Sequence, residues 1–440
     1  MRRLHEPRAY AAPQACFWNE GVATPDWPAL DGDASAEVAV IGGGFTGLSA
    51  ALHLAEAGSD VALLEAETPG FGASGRNGGF CCLGGSKASD AMLRKRFGPA
   101  GLAGWHDTEK AAIETVRGLI ARHGIDADTH SRGETILAHT ARAWQRLRQE
   151  AATAGAAYGV APELIPRAEL GAHGLGGPFH GALTLPLGFA LHPRKYHSGL
   201  ARAADGAGAR LHAQTPVTRI RRAEGRWRLE TPRGSLTAER VIVATNGYSS
   251  EDVPDWLEAR TMPVQSTIIV TRPLTDDEAA AQGLTSAQMA YDTRVLLHYF
   301  RRLPDGRFLF GMRGGLTARP GEQAAISARI RRHFHEMFPA WRGVEITHEW
   351  SGLVCLMANL TPYAGPVPDM QGVFAGLGYH GNGVGMSSHT GRILAALARG
   401  RAPETPWPAV MRKTPKRFPL GAHRRMLLRP TYFLAGLADL

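Results

Sequence analysis

The segment VAVIGGGFTGLSAALHLAEAGSDVALLEA, residues 38–66, constrains the fold of this chain more than any other stretch. Val38 to Ile41 reads as a short apolar strand, and Gly42 to Gly44 as a turn. Leu48, Ala51, Leu52 and Ala55 then recur at helical spacing, and Gly58 ends that helix. Val61 to Leu64 is a second buried strand, so the segment is a βαβ unit. Gly42-x-Gly44-x-x-Gly47 sits at the strand-to-helix turn, with Phe45 and Thr46 inside it. Gly42 permits the tight turn, Gly44 lets backbone approach a pyrophosphate, and Gly47 lets helix and strand pack closely. The helix start offers unpaired N–H groups and a positive dipole end to phosphate. Glu65, followed by Ala66, ends the second strand 18 residues after Gly47, where an acid binds ribose hydroxyls. A Gly-rich turn alone is weak evidence, but strand, helix, strand and acid together predict a bound dinucleotide. The acid argues against NADP and leaves NAD and FAD open.

At 440 residues the chain exceeds one ordinary core, so two domains are expected. Hydrophobic residues make up 44% and charged residues 20%, the balance of a globular protein rather than a disordered one. The net charge is +9, yet no run of five like charges occurs; basic residues crowd only between Lys413 and Arg429. Nucleic-acid binding is therefore not expected. Cys16, Cys81, Cys82 and Cys355 show no CxxC metal spacing, and they suit a reduced protein rather than a disulfide scaffold. The start, MRRLHEPRAYAAPQ, has charge but no apolar signal core, and no membrane span is evident. A cytoplasmic location follows as the expectation.

Residues 1–35 read as an irregular arm, 70–86 as a second Gly-rich loop, and 90–170 mostly as helix. Arg210 to Gln214 reads as a strand. Val217 to Arg222, Arg226 to Thr231 and Ser235 to Ala238 alternate as a small meander, with Gly225 and Pro232 to Gly234 as turns. Val241 to Ala244 returns to a fully apolar strand. Ser266 to Val270, Val295 to Tyr299 and Arg307 to Phe310 suggest a second sheet. Val373 to Leu377 is a late strand before a Gly-rich turn and the apolar helix Val384 to Ala398.

Five further segments carry a resemblance: GFGASGRNGGF (70–80), LHPRKYHSGLARAA (191–204), VIVATNGYS (241–249), YFRRLPDGRFLFGMR (299–313) and GLGYHGNGV (376–384). With the dinucleotide fingerprint, they make the chain similar to the D-amino acid oxidase-like (DAO) superfamily of FAD enzymes, in particular its gamma-glutamylputrescine oxidase-like group. The resemblance covers nearly the whole chain. It implies an α/β fold: a Rossmann-like FAD-binding domain with a central parallel sheet and a small antiparallel meander, plus an α+β substrate domain with an antiparallel sheet. The expected FAD-binding parts are 1–90, 190–250 and 345–440, and the substrate-binding parts 91–189 and 251–344. FAD is the implied cofactor.

In such a fold residues 70–79 pass along the pyrophosphate and the flavin ring, where glycine is needed against a flat surface. Ser74 and Asn77 have the donors and acceptors to bond flavin or phosphate, beside Gly78 and Gly79. Arg76 is either a nearby cation or a structural ion-pair partner. By resemblance the backbone of Val217 faces adenine, and Thr245, Asn246 and Gly247 return the chain beneath the nucleotide. Gly381, Asn382, Gly383 and Val384 open the last apolar helix, whose N–H groups steady negative charge on the reduced ring.

The resemblance implies oxidation of a C–N bond in a small amine or amino acid. Hydride passes to flavin N5, the imine hydrolyses, and oxygen or another acceptor reoxidises the flavin; no dedicated base is apparent. Arg76, Tyr299, Arg301 and His380 are the candidates to line the substrate cavity. Tyr299 and Arg301 alternate along one strand and so share a face. His380 stands where the gamma-glutamylputrescine group more often has Ser, Asn382 where it has His, and Phe80 where it has Gln; these departures bear on the substrate. Cys355 lies in VCLMANLTPYAG (354–365), which resembles the region where monomeric sarcosine oxidases attach flavin through a thioether; the alternative is a buried strand cysteine. Other readings are a dehydrogenase that feeds a quinone or carrier, and a flavin enzyme acting on modified tRNA.

Overall fold

The computed structural model describes residues 2–12 and 15–439. It opens with the expected unit, β1 (Gly32–Ile41), α1 (Phe45–Glu56) and β2 (Val61–Leu64). The short strand β3 (Phe80–Cys81) and the long helix α2 (Asp90–Arg122) follow. Next come β4 (Glu134–Leu137), α3 (Ala141–Tyr158), β5 (Glu163–Pro166), β6 (Gly181–Leu185) and β7 (Phe189–Ala190). α4 (Pro193–Gly206) leads to β8 (Arg210–His212) and to β9 (Arg219–Ala223), β10 (Arg226–Thr231) and β11 (Gly234–Val243). β12 (Thr261–Thr271), α5 (Asp276–Gln282), β13 (Met289–Asp292), β14 (His298–Arg302), β15 (Phe308–Arg313) and α6 (Pro320–Met337) come after. The chain finishes with β16 (Ile346–Met357), β17 (Tyr363–Pro366), β18 (Val373–Leu377), α7 (Gly383–Ala398), α8 (Ala409–Arg412) and α9 (Leu428–Ala438).

One sheet runs β17-β18-β11-β1-β2-β8, with β10 and β9 hanging from β11. β1 is central and pairs in parallel with both β2 and β11. Its side chains alternate between two cores. Val38 and Val40 face α1, α2, α4 and α7, while Ala39 and Ile41 face the meander and β17. Burial on both faces is why β1, β2 and the second half of β11 read as unbroken apolar runs.

The second sheet runs β16-β12-β15-β14-β13-β4-β6-β5 and is antiparallel except between β13 and β4. Phe300, Phe308 and Phe310 point to one side, where Phe334, Phe338 and Trp341 close an aromatic core. Burying each of these rings contributes about 2–3 kcal/mol. The opposite face carries Tyr299 and Arg313 and looks toward the first sheet.

The structure corrects several local expectations. Residues 90–170 are mostly helix, in α2 and α3, but the same stretch also carries β4 and β5, which the second sheet requires. The two strands expected at Ser235 to Ala238 and Val241 to Ala244 are one, because β11 pairs with β1 along its whole length. The strand expected at Val295 to Tyr299 begins at His298. The N-terminal arm is anchored, since Trp18 is buried and donates from Nε1 to the Asn77 carbonyl at 2.8 Å. β16 lies in the stretch assigned to the FAD-binding part, but pairs with β12 from end to end. No helix among the described residues is long and apolar enough to cross a membrane.

Candidate active site

A continuous cavity runs from the β1–α1 turn, between the two sheets, to the start of α7. At its first end Gly42 has φ +103°, and a Cβ there would lie 2.8 Å from the Ala244 carbonyl oxygen. A Cβ on Gly47 would lie 1.9 Å from the Gly42 oxygen, so this glycine is required by packing and does not line the cavity. α1 starts at Gly44 with no side-chain cap, and Ser74 Oγ accepts from Phe45 N at 2.9 Å. Glu65 Oε2 accepts from Gly43 N at 2.7 Å and Oε1 from Glu67 N at 3.0 Å. Burial pushes the Glu65 carboxyl upward, and these N–H groups counter it. Ala66 and Val217 complete this end, and the N–H and C=O of Val217 have no backbone partner among the described residues.

The far end is assembled from late segments. Thr46 Oγ1 and Tyr379 OH are 2.7 Å apart, which fastens α1 to the loop before α7. Asn246 Oδ1 accepts from Gly378 N at 2.9 Å, and Asn382 Nδ2 donates to the Leu83 carbonyl at 2.7 Å. Gly381 has φ +106°, and a Cβ there would meet Arg313 Nη2 at 2.5 Å. α7 then begins at Gly383 with no side-chain cap, its first N–H groups beside the cavity wall.

Residues 37–397 match the family described as "DAO: FAD dependent oxidoreductase". The chain belongs to this family. It is 35% identical to "Probable oxidoreductase OrdL" of Rhizobium meliloti (strain 1021) over 86% of this chain and 87% of that one. It is 32% identical to "Gamma-glutamylputrescine oxidoreductase" of Escherichia coli (strain K12) over 85% and 86% of the respective chains. The fold is that of glycine oxidase from Geobacillus kaustophilus, with TM-score 0.68, 22% identity, and coverage of 84% of this chain and 96% of that one.

The DAO family is FAD-dependent, and the cradle fits that cofactor. Two helix starts, α1 and α7, neither closed by the side chain of its own N-cap residue, border one cavity, each reached by glycines that a Cβ would obstruct. Such ends suit a pyrophosphate and a ring that gains negative charge.

Several candidate side chains are committed elsewhere. Arg76 touches the cavity, but its guanidinium donates to the carbonyls of Phe71 (2.7 Å), Ser351 (3.4 Å) and Ala11 (3.1 Å) and stacks on Phe71. It ties the second Gly loop to β16 and the arm, and pairs with no acid among the described residues. Asn77 folds its own loop, accepting from Gly79 N and donating to the Ala73 and Ser74 carbonyls. Thr245 bonds Ser249 at 2.6 Å, while Gly247 packs on Leu353 and Cys355 away from the cavity.

Arg301 is the clearest correction. It lies fully buried beneath the Gly78–Gly79 backbone, donating to the carbonyls of Gly78 and Leu191, and does not reach the cavity. Gly79 is off the cavity for the same reason: a Cβ there would lie 2.0 Å from the Leu191 oxygen and 2.3 Å from Arg301. Tyr299 does line the cavity, with its hydroxyl 3.0 Å from Ser266 Oγ and its phenol pushed up to about 12 by burial. His380 also lines it, but both ring nitrogens are taken. Nε2 accepts from Met357 N at 3.1 Å, so Nδ1 carries the proton and donates to the Gly85 carbonyl at 3.0 Å. Burial pulls His380 down to about 4, which keeps it neutral and unsuited to proton transfer at neutral pH.

Sequence reasoning missed Lys87 and Arg313, both in the cavity wall. Arg313 Nη2 donates to the His380 carbonyl at 2.6 Å. Lys87 lines the cavity with its side chain open to solvent, and the charge of Arg313 acts on it. Among the described residues no carboxylate compensates either cation, and the only acids lining the cavity are Glu65 and Glu67 at its opposite end.

Cys355 borders the cavity but belongs to the core beneath the first sheet. Burial pushes its thiol up to about 12, so the nucleophilic thiolate is absent at neutral pH. Acid precipitation of the holoprotein is therefore expected to leave the yellow flavin in the supernatant, and Cys355→Ala to retain a full flavin complement. A fluorescent pellet would contradict this.

Proposed function

We propose that this protein oxidises the C–N bond of a small amine or amino acid that carries an anionic group, most simply a carboxylate. The observation that carries the reading is the pair Lys87 and Arg313 at the α7 end of the cavity, with no acid beside them among the described residues. A partly buried cation, Arg313, with a second, Lys87, beside it on the cavity wall selects an anionic partner. The name of the Escherichia coli relative, an oxidoreductase of a gamma-glutamyl amine, supports a C–N donor.

In this reading Gly42, Gly44, Thr46 and Glu65 hold the ADP half of FAD, and Gly78 with residues 381–384 hold its ring. FAD, when bound, supplies the two-electron acceptor. Arg313 and Lys87 fix the substrate's anionic group and so orient its C–N bond. Tyr299, Tyr291 and Ile268 close the wall and exclude water. Neither His380 nor Tyr299 is placed to take a proton, so the amine enters in its neutral form. Dioxygen is the acceptor in this proposal, checked by oxygen uptake against dye reduction.

The test is anaerobic mixing of the holoenzyme with amino acids, N-alkyl amino acids and gamma-glutamyl amines, each beside its uncharged amide or ester. Loss of the flavin band near roughly 450 nm reports the donor. The acids are expected to be preferred, and Arg313→Met to raise their KM roughly thirtyfold while leaving the amides unaffected. Lys87→Met is expected to raise the KM of the acids less than Arg313→Met does, because Lys87 is open to solvent. Equal turnover of acids and amides would sink the anion assignment. A flavin that no amine bleaches would sink the whole reading.

A further inference from the structure

The described residues expose seven large apolar side chains, and five of them lie in the last 21 residues of the chain. Met426, Phe433, Leu434 and Leu437 are 68%, 67%, 64% and 53% exposed. α9 is apolar on two opposite faces. Leu428, Tyr432 and Ala435 form its inner stripe, with Leu428 packed on Met262 and Val264 of β12. Phe433, Leu434 and Leu437 form the outer stripe, each more than half exposed. A helix apolar all round belongs in a buried setting.

The charge around this helix chooses its partner. Between Thr405 and Ala438 the chain has seven Arg and Lys residues and no Asp or Glu. Arg424 and Arg425 are occupied by Glu251 and Glu6, and Arg417 is near Glu258. Lys413, Lys416 and Arg429 are exposed. A second copy of the chain, docked two-fold on this face, would set like charges against each other. Nucleic acid would meet a single protruding ring, Phe433, among Leu and Met side chains, and one ring is no platform for successive bases. Acidic lipid headgroups over hydrocarbon match both features together.

We propose that α9 and the basic segment before it dock this protein onto an anionic lipid bilayer. The outer stripe enters the headgroup boundary, and Lys413, Lys416 and Arg429 face the acidic lipids. The position has a consequence for the active site. Val354, packed against the base of α9, lines the cavity. At the helix end the Asp439 carboxylate accepts from Val295 N at 2.6 Å and Leu296 N at 3.0 Å, next to Leu297, another cavity residue. A docked α9 therefore brings the substrate end of the cavity against the membrane surface.

The test is co-sedimentation of the holoenzyme with vesicles of phosphatidylcholine alone and with added phosphatidylglycerol. Binding is expected only to the anionic vesicles, lost at high salt, and weakened about tenfold or more by Phe433→Glu with Leu434→Glu. Lys413→Glu with Lys416→Glu should weaken it similarly, and both pairs should keep their flavin and their turnover with a water-soluble acceptor. Equal binding to neutral vesicles, no binding to either kind, or undiminished binding by the Glu variants overturns the proposal. So does a dimer in solution that Phe433→Glu with Leu434→Glu dissociates.

Discussion

Gly391→Ala is expected to yield a protein that purifies without flavin. Gly391 lies on α7 where that helix crosses α1, and its new methyl would sit 2.4 Å from the Thr46 oxygen and 2.8 Å from Ala50 N. Both are backbone atoms, so no side-chain rotation relieves the overlap. The helices must separate. Separation strains the Ser49 Oγ bond to the Ser388 carbonyl (2.7 Å) and the Thr46–Tyr379 bond, which hold the two ends of the FAD cradle in register. The expected cost is about 3 kcal/mol. Gly118→Ala is the control: also helical, its methyl meets nothing within 4 Å. It should keep a full flavin complement. Gly391→Ala with normal flavin content would show that the α1–α7 contact does not govern cofactor retention.

The second large effect concerns a pair of buried carboxyls. Glu134 on β4 and Glu109 on α2 are raised to about 8 and about 7, in each case chiefly by burial. Glu109 accepts from Tyr158 OH at 2.8 Å, while Glu134 Oε2 has no hydrogen-bond partner among the described residues. The folded protein thus holds protons that the unfolded chain releases near pH 4.5. Stability is full below that value and falls as pH climbs toward 8. Glu134→Gln, which cannot ionise, is expected to remove about 3 kcal/mol of the loss between pH 5 and pH 8. Denaturant unfolding of both holoproteins at the two pH values measures it. Parallel pH profiles would show that Glu134 stays charged in the fold.

The βαβ unit was legible because every signal in it is local: strand, turn, helix and acid follow within thirty residues. The second sheet was legible only in fragments. β4 is four residues long, and its pairing with β13 and β6 comes from distant sequence. At the site, alternation assigned Tyr299 and Arg301 to one face, and that holds. Alternation does not give depth along a strand, and the Gly78–Gly79 backbone covers Arg301 while leaving Tyr299 open. Arg313 lies on the same face, on the strand paired with β14, at the end that reaches the cavity. Arg76 and His380 do line the cavity, but their bonding was not legible for another reason. Their partners are carbonyls and a backbone N–H from remote segments, and these have no signature in side-chain chemistry.

The order of the strands has a consequence for synthesis. β1 and α1 leave the ribosome early, but β18 and α7, which complete the same cradle, lie beyond residue 372. A nascent chain therefore spends most of its translation with a half-built cofactor pocket. Loading with FAD waits on the final seventh of the polypeptide, and any truncation upstream of Val373 should leave the product colourless.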